Sequence, residues 1–367
     1  MRILMLSWRG HGHPLRGGAE VYTEELLQGL AERGHAITWY SARYSTAGEE
    51  KPQQFLNSGV RLEYGSPGLG VYLSGHRWAL AHVADFDVII DQINTFGFRI
   101  PSNVGSLVIA LIHQLAEDVW DATFKWPLNQ IGRNVEHYFL KNYRTHPFIT
   151  VSPSTYQDVR ARGWVGAGHI IRNATAVKPV VPKGSYPILS FVGRFNHPTK
   201  RVDHAIQILQ AVRRRFSRAE LWIIGRGVPP PRKEWVPGVR YFPDVSDGER
   251  DRLVGTSWLC VATSVREGWG RMVTEAAAVG TPAIVYDVPG LRDAVADQQT
   301  GAVVPVDPYV AANVICTMFH NVSKLRQWGA RARDALSEWT QDDVADATDR
   351  LLRNLAKAHA NNQEALC

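Results

Sequence analysis

The sequence predicts an α/β protein in which two doubly wound domains face each other across a cleft. Short, almost wholly apolar runs alternate with helical patterns along the chain, and such runs are typical of strands in parallel sheets covered on both faces. The length of 367 residues exceeds what one typical core accommodates. A proline-rich stretch without periodicity, residues 173–187, separates the two alternating series and is predicted to be a linker.

Each half of the chain supplies six strand candidates. In the first half they read RILMLSW, AITWYSA, VRLEY, DVIID, SLVIALI and PFITVS, and in the second ILSFVGR, ELWIIG, VRYF, WLCVAT, TPAIVY and GAVVPV. A helical period from Ala19 to Arg33 stops at Gly34, as a helix with a C-terminal glycine should. A second helix is predicted from Val202 to Arg215.

Composition and charge exclude several classes of protein. Apolar residues make up 45% of the chain and charged residues 21%, which is typical of a globular protein. The net charge of +6 favours anionic ligands but is too small to indicate a nucleic-acid partner. Cys260, Cys316 and Cys367 form no CxxC pair, which argues against a disulfide scaffold or a zinc site. The first apolar run is too short for a signal peptide, and no run approaches the roughly 20 residues of a membrane span. We therefore expect a cytoplasmic protein.

The loop after the first strand, SWRGHGHPLRGGAE, fits neither a dinucleotide site nor a P-loop. Gly10 and Gly12 are followed by Leu15 where a third glycine should stand, and no acid ends the next strand. No GK[ST] follows the glycines. Gly17 and Gly18 stand directly before a helix, where bare amides suit a phosphate, and a simple tight turn is the equal alternative.

Two loops of the second half carry stronger signals for an anionic ligand. The first places Arg194 directly after a strand and Lys200 just ahead of a helix. In the second, REGWGRMVTEAAAVG, the glycines disfavour one continuous helix. We therefore predict a loop bearing Glu267 and a helix from Arg271 that carries Glu275 on its second turn. The two cations, the start of this helix and the paired glycines across the cleft together suit a diphosphate.

The order of these elements resembles glycosyltransferase family 4, whose members are retaining enzymes of the GT-B fold that use nucleotide sugars. The resemblance rests on GGAE at the first helix, GR followed by Lys200, EGWG with Glu275, and the later runs AAAVGTPAIVYD and TGAVVPV. It extends over nearly the whole chain, and the E-x7-E arrangement in this order is specific.

The resemblance implies roles for individual residues. It implies that Glu267 contacts hydroxyls of the donor sugar and that Glu275 contacts those of the ribose. It implies that Arg194 and Lys200 hold the diphosphate, and that His113, at the end of SLVIALI, lies beside the reacting sugar. The full set comprises the catalytic candidates His113, Glu267, Arg194 and Lys200 and the donor-binding candidates Gly17, Gly18, Arg194, Lys200, Glu267, Gly268, Trp269, Gly270, Arg271 and Glu275.

The resemblance also implies the division into domains. Residues 1–178 form an acceptor-side Rossmann-like domain, residues 179–340 form the nucleotide-sugar domain, and the final helix, 341–367, crosses back onto the first. Two departures from the family pattern affect loop detail. Asn173-Ala174 stands where Asn-Gly is usual, and Pro289-Gly290 stands where Gly-Gly is common.

The predicted reaction is transfer of a sugar, with retention, from a nucleotide diphosphate sugar to a hydroxyl acceptor. UDP- and GDP-sugars are the favoured donors, and a small molecule, a glycan or a lipid-linked molecule is the acceptor. Preorganised cations and helix amides stabilise the leaving diphosphate, so neither a metal nor another cofactor is expected. No carboxylate is placed as a nucleophile, which favours a front-face mechanism in which the donor phosphate takes the acceptor's proton.

Two other functions remain open at the level of sequence. A nucleotide-sugar epimerase on a similar fold would convert its substrate without an acceptor. A noncatalytic sugar-nucleotide-binding protein would bind the donor without turnover. Transfer or hydrolysis of a donor in the presence of acceptors separates all three.

Several acidic and histidine residues are candidates for a metal site that we do not favour. Asp85-Phe86-Asp87 resembles the metal-binding DxD of the other glycosyltransferase fold, but it leads directly into DVIID and is expected to be a strand boundary. His11 and His13 have ligand-like spacing without a third partner, so they are expected to be loop histidines.

Aromatic and basic residues are mixed in three stretches of the first half. These are Arg77-Trp78, Lys125-Trp126-Pro127 and a helix predicted from Leu128 to Tyr143. We expect ordinary core packing for them. The alternative is an interfacial surface for a lipid-linked acceptor, which would place the protein peripherally at the inner membrane face.

Overall fold

The alternation of apolar runs and helical patterns produces two parallel sheets in the computed structural model of the protein, which describes residues 1–44 and 59–364. Cys367 and the end of the predicted final helix lie outside the described residues. The chain divides into two compact units. Unit 1 comprises Met1–Ala116, Gln130–Asn173 and Gln341–Cys367, and unit 2 comprises Glu117–Asn129 and Ala174–Thr340.

The sheet of unit 1 has seven strands. They are β1 (Arg2–Leu6), β2 (Ala36–Ala42), β3 (Arg61–Gly65), β4 (Val88–Ile93), β5 (Leu107–Ile112), β6 (Phe148–Thr150) and β7 (Gly168–Ile170). Their order is β3-β2-β1-β4-β5-β6-β7, and every pairing is parallel. All residues of β4 and β5 are buried, because helices cover both faces of such a sheet. The strand order reverses between β1 and β4, which is where open α/β sheets bind ligands.

The sheet of unit 2 has six strands. They are β8 (Ile188–Val192), β9 (Glu220–Gly225), β10 (Val239–Pro243), β11 (Leu259–Ala262), β12 (Ala283–Tyr286) and β13 (Gly301–Val304). Their order is β10-β9-β8-β11-β12-β13, again with parallel pairings throughout. The order reverses between β8 and β11. The loops that follow these two strands therefore meet at the ligand-binding edge of the sheet.

Helices connect the strands in both units. In chain order they are α1 (Gly18–Glu32), α2 (Gly70–Ala81), α3 (Asp118–Thr123), α4 (Leu128–Leu140), α5 (Pro153–Ala161), α6 (Val202–Arg213), α7 (Asp247–Thr256), α8 (Arg271–Ala278), α9 (Pro308–His320), α10 (Val322–Leu336) and α11 (Gln341–Glu364). None of the described helices is long and apolar enough to cross a membrane. The predicted fold class, two doubly wound parallel sheets, is confirmed.

The last helix belongs to the first unit. Arg33, just after α1, pairs through Nε with the carboxylate of Asp346 on α11 at 2.7 Å. The fully buried side chain of His35 lies 2.6 Å from the carboxylate of Asp349 on the same helix. A side chain at Gly29 would collide with Ala345, so the two helices pack closely. These contacts attach α11 to α1.

The observed units differ from the predicted domain limits in two places. The boundary lies between Asn173 and Ala174 rather than after residue 178, and residues 117–129 group with unit 2. The guanidinium of Arg266 in unit 2 lies 3.5 Å from Glu117 and 3.4 Å from Asp118, which ties that segment to the unit. Such contacts join residues that are far apart in the chain. A local sequence pattern therefore does not predict them.

The expectation of core packing holds for only part of the aromatic and basic stretches. Trp126 is 82% exposed, and Ile131 and Tyr138 on α4 are 52% and 62% exposed. Trp78 packs against one buried cluster of unit 1, and Leu140 and Tyr143 belong to another. An amphipathic helical pattern gives the direction of an apolar face but does not show whether anything covers it.

Candidate functional site

The loop after β11 carries the central acid of the predicted site. One carboxylate oxygen of Glu267 accepts a hydrogen bond from Ser264 Oγ at 2.6 Å and also pairs with the ammonium of Lys200. The side chains of Lys200 and Glu267 are 20% and 18% exposed. The structure therefore brings these two predicted site residues together and leaves both partly exposed, while their roles stay predictions.

Hydrogen bonds to the neighbouring loop hold this arrangement in place. Thr263 Oγ1 donates to the carbonyl oxygens of Lys200 and Arg201 at 3.0 and 2.9 Å. The amide of Val265 donates to the carbonyl of Thr199 at 2.8 Å. The loops after β8 and β11 are thus joined along their backbones, so the Lys200–Glu267 pair does not depend on side-chain contacts alone.

The loop 287–290 supports Glu267 from the other side. The amide of Glu267 donates to the carbonyl of Pro289 at 3.0 Å. Gly290 has a φ of +80°, and a Cβ atom there would collide with the carbonyl group of Glu267. Asp293 accepts from the Gly290 amide at 3.0 Å. The Pro289-Gly290 departure from the family pattern therefore preserves the glycine where the backbones approach most closely.

The start of α8 is a helix end that no side chain caps. Gly270 caps the helix with a φ of +78°, and no side chain forms a capping hydrogen bond. The first amides of a helix have no partners within the helix, and the helix dipole places positive partial charge there. A phosphate is a suitable ligand for such an end. Gly268, Trp269 and Gly270 therefore offer backbone amides beside Glu267.

The ring of Trp269 is buried and is not presented to solvent. Its side chain is 8% exposed, and its indole N–H has no acceptor among the described residues. The residue that follows, Gly270, could not carry a side chain without approaching Leu291 closely. The loop is thus packed against unit 2 and presents its backbone.

Glu275 lies one helical turn further along α8, between two arginines. Its carboxylate is 3.6 Å from Arg271 Nε and 3.8 Å from Arg250 Nη1. Both distances exceed those of strong hydrogen bonds. The carboxylate is oriented by charge and keeps the capacity to accept from ligand hydroxyls.

The loop after β8 collects positive charge. Burial lowers the pKa of His197, and the nearby charges of Arg194 and Lys200 lower it further, while Glu267 opposes them. All three charged groups therefore lie close to one imidazole. Arg194 is exposed and has no ion pair among the described residues. An exposed cation at this edge is suited to binding an anion.

His113 follows β5 in unit 1. Its Nε2 atom lies 2.8 Å from the side-chain nitrogen of Gln92, so when the amide donates, the imidazole carries its proton on Nδ1. The ring of Tyr22 meets it edge-on at 5.3 Å. Thr155 Oγ1 donates to the His113 carbonyl at 3.0 Å. The imidazole is therefore held by β4 and α1, and the backbone of His113 is held by α5.

The paired glycines at the start of α1 differ from the expectation in one respect. The Gly17 amide donates to the carboxylate of Glu20 at 2.7 Å, forming the cap of the helix. The Gly17 amide is thus already occupied, and Gly18 is the first glycine whose amide has no such side-chain acceptor. The roles of Gly17, Gly18 and His113 stay predictions.

The metal candidates occupy ordinary structural positions. Asp85 ends a short 3-10 helix, and Asp87 binds Arg2 at 2.8 Å directly before β4, as expected of a strand boundary. His11 lies 3.0 Å from Glu24, and His13 accepts from the Leu15 amide at 3.0 Å. Within the described ranges no group of three or more His, Cys, Asp or Glu side chains could hold a metal ion.

Four contributors to the site were missed by the sequence analysis. Ser264 and Thr263 look like ordinary small polar residues after a strand, and His197 stands among other loop residues. Arg250 lies on α7, and the sequence gives no sign that it approaches Glu275. Only Ser264 could have been proposed, since it lies three residues before Glu267.

Comparison with known proteins agrees with this architecture. The families described as Glycosyltransferase Family 4 and Glycosyl transferases group 1 match residues 16–176 and 186–321. A glycogen synthase of Mycobacterium tuberculosis is 30% identical over 95% of this chain and 93% of its own length. A phosphatidyl-myo-inositol mannosyltransferase of the same organism is 25% identical over the whole of both chains.

Shorter alignments and a solved structure complete the comparison. Mannosyltransferases of the same name from Propionibacterium freudenreichii and Mycobacterium leprae align over only 30% and 54% of their own lengths. Sucrose-phosphate synthase from Thermosynechococcus elongatus superimposes with a TM-score of 0.76 at 19% identity, covering 97% of this chain and 99% of that one. The chain therefore belongs to glycosyltransferase family 4 and is a glycosyltransferase of the GT-B fold.

Proposed function

We propose that this glycosyltransferase takes its sugar from a nucleoside diphosphate sugar, with UDP- and GDP-sugars as the first candidates, and transfers it with retention to a hydroxyl acceptor. The observation that carries the proposal is the Lys200–Glu267 pair beside the uncapped start of α8. It combines a cation, free amides and a partly exposed carboxylate at the ligand-binding edge of one sheet.

Each group has a distinct part in the proposed donor complex. The amides at the start of α8, together with Arg194 and Lys200, bind the diphosphate and stabilise it as it leaves. Glu267 accepts hydrogen bonds from the sugar hydroxyls, and Glu275 accepts them from the ribose. These interactions favour cleavage of the bond between the sugar and the phosphate, because they stabilise the charge that develops on the leaving group.

In the proposed front-face step, the bond between the anomeric carbon and the phosphate oxygen breaks as the acceptor oxygen attacks the same face. The acceptor's proton passes to the departing phosphate. His113 is proposed to lie beside the reacting sugar. No step requires a metal, because the cations and helix amides carry the electrostatic role.

The acceptor is the least defined part of the proposal. The relatives' names include both a phosphatidyl-myo-inositol mannosyltransferase and a glycogen synthase, so a lipid headgroup and a glycan both remain candidates. All the named relatives are transferases, and none supports the epimerase alternative. The exposed Trp126 and Tyr138 support a peripheral membrane contact for a lipid-linked acceptor.

A thermal-shift series with UDP, GDP, ADP and dTDP tests the donor. A ligand present at 100 times its Kd adds about 2.7 kcal/mol to the free energy of unfolding, which gives a readily measured rise in Tm. We expect one or two of the nucleotides to raise Tm and the corresponding nucleosides to raise it less. If none of the four has an effect, the proposed donor class is wrong.

Metal dependence gives a second test. With a purified donor and acceptor, EDTA should leave the initial rate unchanged, and added Mg²⁺ or Mn²⁺ should not be required. Activity that disappears in EDTA and returns with Mn²⁺ would contradict the metal-independent mechanism.

A further inference from the structure

A cavity of about 790 Å³ lies within unit 1, and none of the predicted site residues lines it. It is enclosed by the first turns of α2, the irregular connection 94–106 between β4 and β5, and the segment that follows α4. Crossovers between parallel strands are usually helical. Here the connection is irregular instead, which leaves a space between α2 and α4. Its volume is in the range of small-molecule sites.

The lining of the cavity is apolar on one side. Leu69 and Leu73, at the start of α2, line it and are still 62% and 58% exposed. Ile100 and Phe139 complete this wall. Leucines at these exposures gain several kcal/mol in total when a ligand covers them. The wall is therefore suited to an alkyl chain.

The opposite part of the lining is polar and carries no negative charge. None of the lining residues, all of which lie in the described part of the chain, is an Asp or Glu. The guanidinium of Arg99 is exposed and lies 5.5 Å from the centre of the Phe139 ring. The apolar wall thus ends at a cation.

The backbone at Arg99 is strained and is held by hydrogen bonds to buried side chains. Arg99 has a φ of +59°, which is uncommon for a residue other than glycine. Its amide donates to Tyr143 Oη at 2.5 Å, and that hydroxyl donates to the fully buried Asp91 at 2.6 Å. Asp91 also accepts from the Phe98 amide at 3.0 Å. Strain fixed by a buried network is common at binding sites.

An unpartnered acceptor lines the same cavity. His146 is 3% exposed, and its Nε2 atom donates to the Ile100 carbonyl at 3.1 Å. That bond leaves Nδ1 as an acceptor, and Nδ1 has no donor among the described residues. Buried polar atoms are normally paired. Nδ1 has almost no accessible surface, so this imidazole supports the lining from behind and is not a group that a ligand contacts.

We infer that this cavity binds a single-chain amphiphile whose chain covers Leu69 and Leu73 and whose anionic head binds Arg99. The inference concerns unit 1 alone and does not depend on the proposed donor. Loss of amphiphile binding would leave nucleotide binding unchanged. The ligand is either an acceptor or a lipid that is bound without being glycosylated.

Calorimetric titration of the full chain with myristoyl-lysophosphatidylglycerol, kept below its critical micelle concentration, tests the inference. We expect saturable binding. Leu73→Gln should weaken it by roughly tenfold, because an alkyl contact is lost at an exposed position where folding is little affected. Leu80→Gln is the matched control, since Leu80 is exposed on the same helix but does not line the cavity. Absence of saturable binding, or equal binding by both variants, would overturn the inference.

A second variant tests the head group. Asparagine tolerates the left-handed conformation, so Arg99→Asn removes the charge without adding strain. The Arg99→Asn variant should bind lysophosphatidylglycerol several-fold more weakly than the wild type. Its affinity for the zwitterionic lysophosphatidylcholine should be nearly unchanged. Equal effects on both lipids, or competition by glycerol phosphate alone at the same concentration, would contradict the assigned geometry. Incubation with a labelled nucleotide sugar then separates the two sources, because only an acceptor becomes labelled.

Discussion

Two loops of the molecule use a carboxylate in opposite ways. In unit 2, the loop after β11 is held by Thr263 and by backbone bonds, which leaves Glu267 partly exposed beside Lys200. In unit 1, the loop after β4 is held by Asp91, which is fully buried and binds a backbone amide and Tyr143. Glu267 is partly exposed and can contact a ligand. Asp91 is buried and instead fixes the conformation of the loop backbone.

This difference separates the expected consequences of mutation. Changing Glu267 should affect catalysis and largely spare the fold, because its carboxylate is partly exposed and backbone bonds hold the loop. Changing Asp91 should affect folding and its dependence on pH, because its partners are buried. The following experiments test that separation.

The largest effect is expected for Glu267→Gln. The amide keeps the shape of the side chain but weakens hydrogen bonds from sugar hydroxyls and from Lys200. We expect kcat/KM to fall at least about 100-fold, or about 2.7 kcal/mol, while affinity for the nucleoside diphosphate stays nearly unchanged. Ser264→Ala, which removes one bond to the same carboxylate, should cost less. A Glu267→Gln enzyme with more than a tenth of normal turnover would contradict the assignment.

The second-largest effect is expected at Gly290, whose backbone lies against the carbonyl group of Glu267. Gly290→Ala places a Cβ atom against the Glu267 carbonyl at a φ of +80°, whereas Gly34→Ala has a φ of +81° and meets no atom within 4 Å. The control variant therefore reports the cost of the backbone conformation alone. Chemical denaturation should show about 2 kcal/mol more destabilisation for Gly290→Ala, together with loss of transfer. Equal losses in both variants would show that the close approach is unimportant.

The buried acid should produce a pH dependence of the opposite sign to that of an exposed pair. Burial raises the pKa of Asp91 to about 6 from the usual 3.8, although Tyr143 and backbone amides oppose the rise. The folded protein therefore binds this proton more tightly than the unfolded chain. Its contribution to stability is full below about pH 4 and is lost as the pH rises through 6. Relative to Asp91→Asn, the wild-type free energy of unfolding should fall by on the order of 2 kcal/mol between pH 4 and pH 7.

Asp87 supplies the control for that measurement. Its hydrogen bond with Arg2 lowers its pKa, so its contribution is present above the usual pKa of an aspartate and is lost as the pH falls. Relative to Asp87→Asn, wild-type stability should therefore rise with pH. If denaturation curves for both variants change with pH in the same direction, the contrast between buried and exposed acids is wrong.

The sequence predicts the strands and the donor loop well because both have local signatures. Apolar runs mark twelve of the thirteen strands, and β7 was missed because GHI is too short and polar to form such a run. Glycines on both sides of Trp269 indicate a break before α8, and the helix begins at Arg271 as predicted.

What the sequence does not predict depends on contacts between distant residues. Nothing near Arg250 indicates that it approaches Glu275, and nothing near Asp91 indicates that it binds Tyr143. The use of the Gly17 amide by Glu20 is local, and a capping-box pattern could have revealed it. The cavity of unit 1 arises from an irregular crossover, which a pattern of apolar runs does not describe.

Calorimetric titration with a nucleoside, its monophosphate and its diphosphate tests most directly whether unit 2 holds the diphosphate. Arg194→Ala and Lys200→Met should each weaken binding of the diphosphate by about 1–2 kcal/mol. Binding of the nucleoside should weaken much less, because only the phosphates are proposed to contact these cations. Glu275→Ala should weaken all three ligands alike, since all keep the ribose. Arg214→Ala is the control, because Arg214 is exposed just after the end of α6, whereas Lys200 precedes the start of this 12-residue helix. If Arg194→Ala and Lys200→Met bind the diphosphate as the wild type does, the diphosphate is bound elsewhere and the account is wrong.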